Sequence, residues 1–280
     1  MRKLSVNEII KSVEFMCIKA NYDLSSDIYG ALKNASEKEE SPIGKAILKD
    51  IVENADIAKK NSVPICQDTG MAVVFIELGQ EVYLVDGDLN EAINEGVRRG
   101  YKKGFLRKSV VEDPLLRVNT NDNTPAIIHI EIVKGDKVKI TLAPKGFGSE
   151  NMSRSIMLKP SDGKKGVEDF ILETVSIAGP NPCPPIVVGV GLGGTIEKAA
   201  YLAKKSLIRD INIRSEKEHI KDMEIDLLNR INNLGIGPQG LGGRTTAIAV
   251  NIETFATHIA GLPVVVNINC HATRHVQTIL

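Results

Sequence analysis

The sequence predicts an α+β protein, a helical N-terminal region followed by a mixed β-sheet with packed helices. Three observations predict it. Apolar residues recur at helical spacing through the first sixty positions. Beyond residue 70 the period shortens towards the two-residue repeat of strands. Strands and helices then mix, with no internal repeat and no low-complexity linker. One domain is expected over residues 1–280, with a helical sub-region at 1–62 and an α+β sub-region at 63–280.

Each element has its own signal. Ser5 and Glu8 form a capping-box pattern ahead of Val6, Ile9, Ile10, Val13 and Cys17, which share one helical stripe. Cys17 on that stripe reads as a small buried hydrophobe. Ser41-Pro42 opens another helix, with Ser as cap and Pro in the first turn, and Ile43, Ile47, Ile51, Ala55 and Ala58 are its expected core face. Strands are expected at 71–78 and 81–85, and Asp88 with Glu91 caps a helix whose apolar residues include Ala92, Ile93 and Val97. Strands at 127–133 and 137–142 flank Lys134-Gly135-Asp136, a hairpin signal. Residues 167–177 read as helix, 186–190 as an apolar strand and the stretch from about Thr195 as helix. A charged amphipathic helix spans 216–234 and stops at Gly235. Strands at 245–252 and 263–268 close the series.

Composition narrows the function classes. The 280 residues carry 35 Lys plus Arg against 35 Asp plus Glu, so net charge supplies no attraction to nucleic acid or an anionic membrane. No apolar run approaches the ~20 residues that span a bilayer. Glu8, Lys11 and Glu14 interrupt the N-terminal apolar residues, unlike a secretory signal. A cytoplasmic location is expected, and four cysteines are too few for a disulfide scaffold.

Three of those cysteines stand in loop-forming contexts. Cys66 lies in Pro64-Ile65-Cys66-Gln67-Asp68-Thr69-Gly70, Cys183 in Gly179-Pro180-Asn181-Pro182-Cys183-Pro184-Pro185, and Cys270 at the end of an apolar strand before His271. Their separations, 117 and 87 residues, match neither a zinc ribbon nor a ferredoxin. Spacing alone therefore leaves buried structural thiols open. Context points the other way: Pro-fixed loops and strand ends are where pre-positioned ligands sit. Three thiolates with no local fourth suggest an iron–sulfur cluster with one open iron, a Lewis acid. Asp68 could move a proton there, or could belong to an ordinary turn.

Two glycine-rich stretches carry other readings. Gly189-Val190-Gly191-Leu192-Gly193-Gly194 fits the dinucleotide fingerprint, but residues 204–210 look like a helix end where a second strand is needed. It reads as a tight strand-to-helix turn, with a nucleotide-binding oxidoreductase as the alternative. Residues 235–245 hold five glycines and read as an ordered loop. His129 reads as structural, His219 as solvated, and His258 lies twelve residues before Cys270.

Seven ordered segments together resemble the class I iron–sulfur fumarate hydratases and L-tartrate dehydratases, over nearly the whole chain. They are the Cys66 segment, Leu106-Arg107-Lys108-Ser109-Val110, Asn119-Thr120-Asn121-Asp122-Asn123-Thr124-Pro125, Pro144-Lys145-Gly146-Phe147-Gly148-Ser149-Glu150-Asn151, the Cys183 segment, Gly237-Pro238-Gln239-Gly240-Leu241-Gly242-Gly243 and the Cys270 segment. The likeness is to the α subunit of the two-subunit forms, or the N-terminal half of the single-chain ones. It implies a [4Fe–4S] cluster on Cys66, Cys183 and Cys270. It implies Gln67, Arg107 and Gly148 as substrate-binding residues, and Asp68 with His258 for proton transfer. Phe147 departs from the small residue expected there. The implied reaction is the oxygen-sensitive hydration of fumarate to L-malate, a tricarboxylic acid cycle step, with L(+)-tartrate dehydration as the alternative. A separate β subunit is expected to complete the site in an αβ heteromer, doubled to α2β2 through this chain, and to supply the carbon base.

Overall fold

A computed structural model describes all 280 residues and bears out the α+β class. Its elements run β1 (Arg2–Ser5), α1 (Val6–Tyr22), α2 (Ser26–Lys38), α3 (Pro42–Asn61), β2 (Met71–Gly79), β3 (Val82–Val85), α4 (Leu89–Lys103), β4 (Ile127–Val133), β5 (Val138–Lys145) and the single turn α5 (Phe147–Glu150). They continue with β6 (Arg154–Leu158), α6 (Gly163–Ala178), β7 (Ile186–Leu192), α7 (Ile196–Ser206), α8 (Glu218–Asn232), β8 (Ala247–Thr254), β9 (Leu262–Asn269) and β10 (Val276–Ile279). The chain divides into two compact units. The first holds Met1–Ser25, Ala55–Phe147 and Arg274–Leu280, and the second Ser26–Asn54 and Gly148–Thr273.

In the first unit, a four-stranded sheet of order β10-β5-β2-β4 is covered by α1 and α4, and β1 pairs with β3 alongside. The helices approach closely because α4 offers glycines. A Cβ on Gly96 would lie 2.6 Å from Val13 Cβ, and one on Gly100 would lie 2.7 Å from Cys17 Cβ. Cys17 is thus a core residue, as its stripe predicts, and burial, with Glu14 nearby, pushes its thiol far up. Ser5 caps α1 by accepting from Asn7 N; the expected partner Glu8 takes no part.

The expected hairpin does not form. Strands β4 and β5 both pair with β2, β4 parallel and β5 antiparallel. β2 is the most apolar of the three, and between two neighbours both its edges and its faces are buried. The face of α3 is also rotated from expectation. Ile43 is 61% exposed, and Leu48 with Ile51, Ala55 and Ala58 forms the buried stripe.

The second unit is built on a sheet of order β6-β9-β7-β8, with β7 and β8 parallel and the other pairs antiparallel. Alternation along β7 sorts its faces. Val188, Val190 and Leu192 pack with α6 and α8. Gly189 and Gly191 lie under α7, where a Cβ on Gly191 would stand 1.9 Å from Ala199 O. No helix is long and apolar enough to cross a membrane.

Candidate active site

In the first unit, one buried hydroxyl aligns two of the predicted segments. Thr69 Oγ1 accepts from Arg107 N at 2.9 Å and lies 3.2 Å from Arg107 O as donor. Asn123, fully buried, extends the brace. Its Oδ1 accepts from Ser109 N at 2.7 Å and its Nδ2 donates to Gly70 O at 3.1 Å. The Tyr101 hydroxyl reaches Thr69 O and Gly70 O at 2.8 and 2.9 Å, and Arg274 donates to Asp68 O. Gly70, at φ +74°, backs onto the Lys145 backbone, which a Cβ would meet at 2.8 Å; only glycine fits there.

This frame presents the Asp68 carboxylate. Its Oδ1 accepts from Gly70 N at 3.0 Å and its Oδ2 from Phe147 N at 2.8 Å. Gly146 leaves it room, since a Cβ there would come within 3.2 Å of Oδ2. The large side chain at 147 costs the arrangement nothing, because position 147 contributes its backbone N–H and Phe147 points outward, 48% exposed. Gln67 and Arg107 are exposed and Cys66 is half-buried. The structure therefore gathers Cys66, Asp68 and Arg107 onto one braced surface of this unit.

In the second unit, Cys183 occupies the left-handed region at φ 53°, and it is exposed and in no disulfide. Such a conformation costs a non-glycine residue about 1–3 kcal/mol and needs neighbours that enforce it. The enforcers are Gln239, itself at φ 52°, and His271. Gln239 N and Nε2 each lie 2.8 Å from Pro184 O as donors. His271 N donates to Cys183 O at 3.3 Å, and His271 Nδ1 lies 3.0 Å from the same oxygen. His271 directly follows Cys270, so the clamp brings the Cys183 loop to the end of β9. Gln239 comes from the glycine-rich loop, where a Cβ on Gly240 would meet Pro180 Cβ at 2.2 Å. That loop is in turn anchored to Glu39, whose carboxylate accepts from Ser41, Arg244 and Thr245 N–H groups. Burial alone would raise the Glu39 carboxyl; those N–H bonds outweigh it and hold it at about 2.

Gly148 and His258 also belong to this unit. A Cβ on Gly148 would meet nothing nearer than Asn181 O at 4.0 Å, so the fold does not require glycine there. Two residues on, Glu150 pairs with Lys204 and accepts from Asn267 Nδ2 at 2.8 Å. Burial draws the Lys204 ammonium below its ordinary range, against the pull of Glu150. His258 stands in the exposed loop between β8 and β9; its Nδ1 accepts from Ala260 N at 3.2 Å. It lines an apolar cavity of about 440 Å³ with Met223, Ile259 and Leu262.

The dinucleotide-like glycines are committed elsewhere. Gly193 N and Gly194 N donate to Pro263 O and Ala256 O at 3.1 Å, leaving no amide pair to cradle a phosphate. Residues that sequence reasoning gave no role are Thr69, Tyr101, Asn123, Gln239, His271 and Arg274. Four left a trace: Thr69, Asn123 and Gln239 sit in segments that carry the family resemblance, and His271 lies beside Cys270.

With three loop cysteines outside any disulfide, a braced carboxylate and an exposed arginine on an α+β frame, the class of protein is a small-molecule enzyme. The chain belongs to the fumarate hydratase (Fumerase) family, whose description matches residues 10–279. It is 46% identical over 257 residues to a Methanocaldococcus jannaschii chain provisionally named L(+)-tartrate dehydratase subunit alpha, covering 90% of each. It is 32% identical over 277 residues to the L(+)-tartrate dehydratase subunit alpha of Escherichia coli strain K12 and to that of Shigella sonnei, covering 98% of this chain and 91% of either relative. The family and these relatives make the chain a hydro-lyase.

Proposed function

We propose that residues 1–280 act as one domain, the α subunit of an iron–sulfur hydro-lyase that removes water from L(+)-tartrate. The observation that carries the substrate is the name shared by relatives spanning nine-tenths or more of this chain. Fumarate hydration to L-malate is the second reading, favoured by the family's own description. The two substrates differ by one hydroxyl, and a separate β subunit, implied by the relatives' names as α subunits, contributes to reading it.

The donor set fits a [4Fe–4S] cluster. Cys66, Cys183 and Cys270 are in no disulfide and lie outside the apolar core, whereas Cys17 is sealed between α1 and α4. No three His, Cys, Asp or Glu side chains gather as tightly as a single ion requires, and a cluster spaces its thiolates more widely. Bound there, the cluster would supply a Lewis-acidic iron that makes the substrate hydroxyl a better leaving group. Arg107 clamps a substrate carboxylate as a charge-assisted fork. Gln67 hydrogen-bonds the substrate and Gly148 leaves it room. Asp68, with His258, passes the proton that accompanies the departing hydroxide, and a base on the β subunit takes the carbon proton, so that water and an alkene or enol result. The cytoplasm supplies the reducing conditions that such an oxygen-sensitive site needs.

The test compares kcat/KM of the anaerobically assembled αβ complex for L(+)-tartrate, L-malate and fumarate. Preference for tartrate is expected; faster fumarate hydration replaces it with the second reading. In the same complex, Asp68→Asn should keep the visible absorbance of the cluster while turnover falls about 100-fold or more. Near-normal turnover removes Asp68 from the reaction.

A further inference from the structure

The apolar cavity of about 440 Å³ in the second unit lies among α6, α8 and the loop that joins β8 to β9. Its body is aliphatic: Val167, Leu192, Met223 and Leu262 wall it, and no Phe or Tyr takes part. Ile259, on the loop, also lines the cavity and is 91% exposed. A volume of this order suits a small molecule, and a large apolar side chain left in water beside it has apolar surface still to bury.

The titratable lining is of one kind. Lys164, His219 and His258 line the cavity, and no Asp or Glu does. Lys164 pairs with Glu168 at 3.4 Å, which leaves its ammonium further donors. His219 is exposed. His258 Nδ1 accepts from Ala260 N at 3.2 Å, so the ring proton sits on Nε2 as a donor. Lys164 and His219 each stand in the first turn of a long helix, and neither α6 nor α8 has a side-chain bond at its N-cap. The open N–H groups of those two turns add partial positive charge beside the same cavity. Such a lining recognises one anionic group on an aliphatic body.

We propose that this cavity binds an apolar monocarboxylate, a free fatty acid of medium chain length. Its chain lies among Val167, Leu192, Met223 and Leu262, and its carboxylate meets Lys164, His219 and His258. Ile259 folds over the chain and leaves water, so occupancy pins the loop between β8 and β9. The site stands whether or not His258 passes a proton in catalysis.

The test is titration calorimetry with hexanoate, octanoate and decanoate, using the full chain purified with whatever subunit accompanies it. Affinity should rise about tenfold for each two methylenes added, since each methylene leaves water. Octylamine brings the wrong charge into the same cavity and should bind at least about tenfold more weakly than octanoate. His219→Glu sets a carboxylate against that of the ligand and should weaken octanoate by about tenfold. It should not harm the fold, because a carboxylate is favoured in the first turn of a helix. Bound octanoate should also slow deuterium exchange at residues 257–261. No octanoate binding, an affinity indifferent to chain length, octylamine bound as tightly as octanoate, a His219→Glu affinity equal to wild type, or unaltered exchange at 257–261 would overturn the proposal. Failure of the tartrate and fumarate assays leaves these affinities unaffected.

Discussion

At Glu39 a single carboxylate organises a loop some two hundred positions away in sequence. Its folded value near 2 lies below the ordinary glutamate value, so its contribution is complete above about pH 4.5 and is lost as pH falls towards 2. A shift of this size corresponds to about 3 kcal/mol. Glu39→Gln should therefore lower the stability measured by urea at pH 7 by roughly that amount, and should flatten its decline between pH 4.5 and 2. An unchanged acid limb would mean the anchor is not electrostatic. Gly148 offers the opposite experiment. It stands in the short α5 turn with open space where a Cβ would go, so Gly148→Ala should change stability by no more than ~0.5 kcal/mol. If substrate uses that space, kcat/KM should fall by about tenfold or more; unchanged kinetics would remove Gly148 from the site. The residues proposed to present chemistry stand out in the sequence, because a cysteine or an Asp-Thr-Gly turn is visible locally. The residues that hold them do not. Thr69 acts on Arg107, Asn123 on Gly70 and Gln239 on Pro184, and contacts over such separations leave no local periodicity.

Elements were legible where a cap or a long stripe marks them. Asp88 caps α4 through Glu91 N at 2.9 Å, and the glycine after β7 opens the turn into α7. Short strands lacked such marks: β1, β6 and β10 span four, five and four residues, too few to establish a period. The hairpin expectation failed because a turn signal between β4 and β5 says nothing about which strand lies between them in the sheet. The glycine run at the end of β7 was legible as a strand-to-helix turn, while Gly189 and Gly191 within it serve the close approach of α7. Gly191→Ala should accordingly cost about 3 kcal/mol in chemical denaturation, the upper end for overpacking. A cost under 1 kcal/mol would show that α7 slides freely on β7.

For the molecule as a whole, the relatives' description as α subunits predicts that the purified chain on its own, with cluster restored, shows no measurable turnover of tartrate or fumarate, and that adding the β subunit restores it. Full activity of the lone chain would place the carbon base within these 280 residues. The fold class needed no partner to be read, since it follows from periodicity and burial within the chain. The completed pocket could not be read from one chain if the partner supplies part of it.

The turn at residues 192–194 has a kinetic consequence. Phe255 N donates to Leu192 O, Gly194 N to Ala256 O, Gly193 N to Pro263 O and Thr257 Oγ1 to Gly194 O. Both legs of the loop carrying His258 are therefore stitched to one point, while Ile259 at its tip is 91% exposed. Deuterium should replace the tip amides quickly and the Gly193 and Gly194 amides slowly. His258 would then swing on a short tether whose ends stay put, and it could meet an arriving subunit without loosening the sheet beneath.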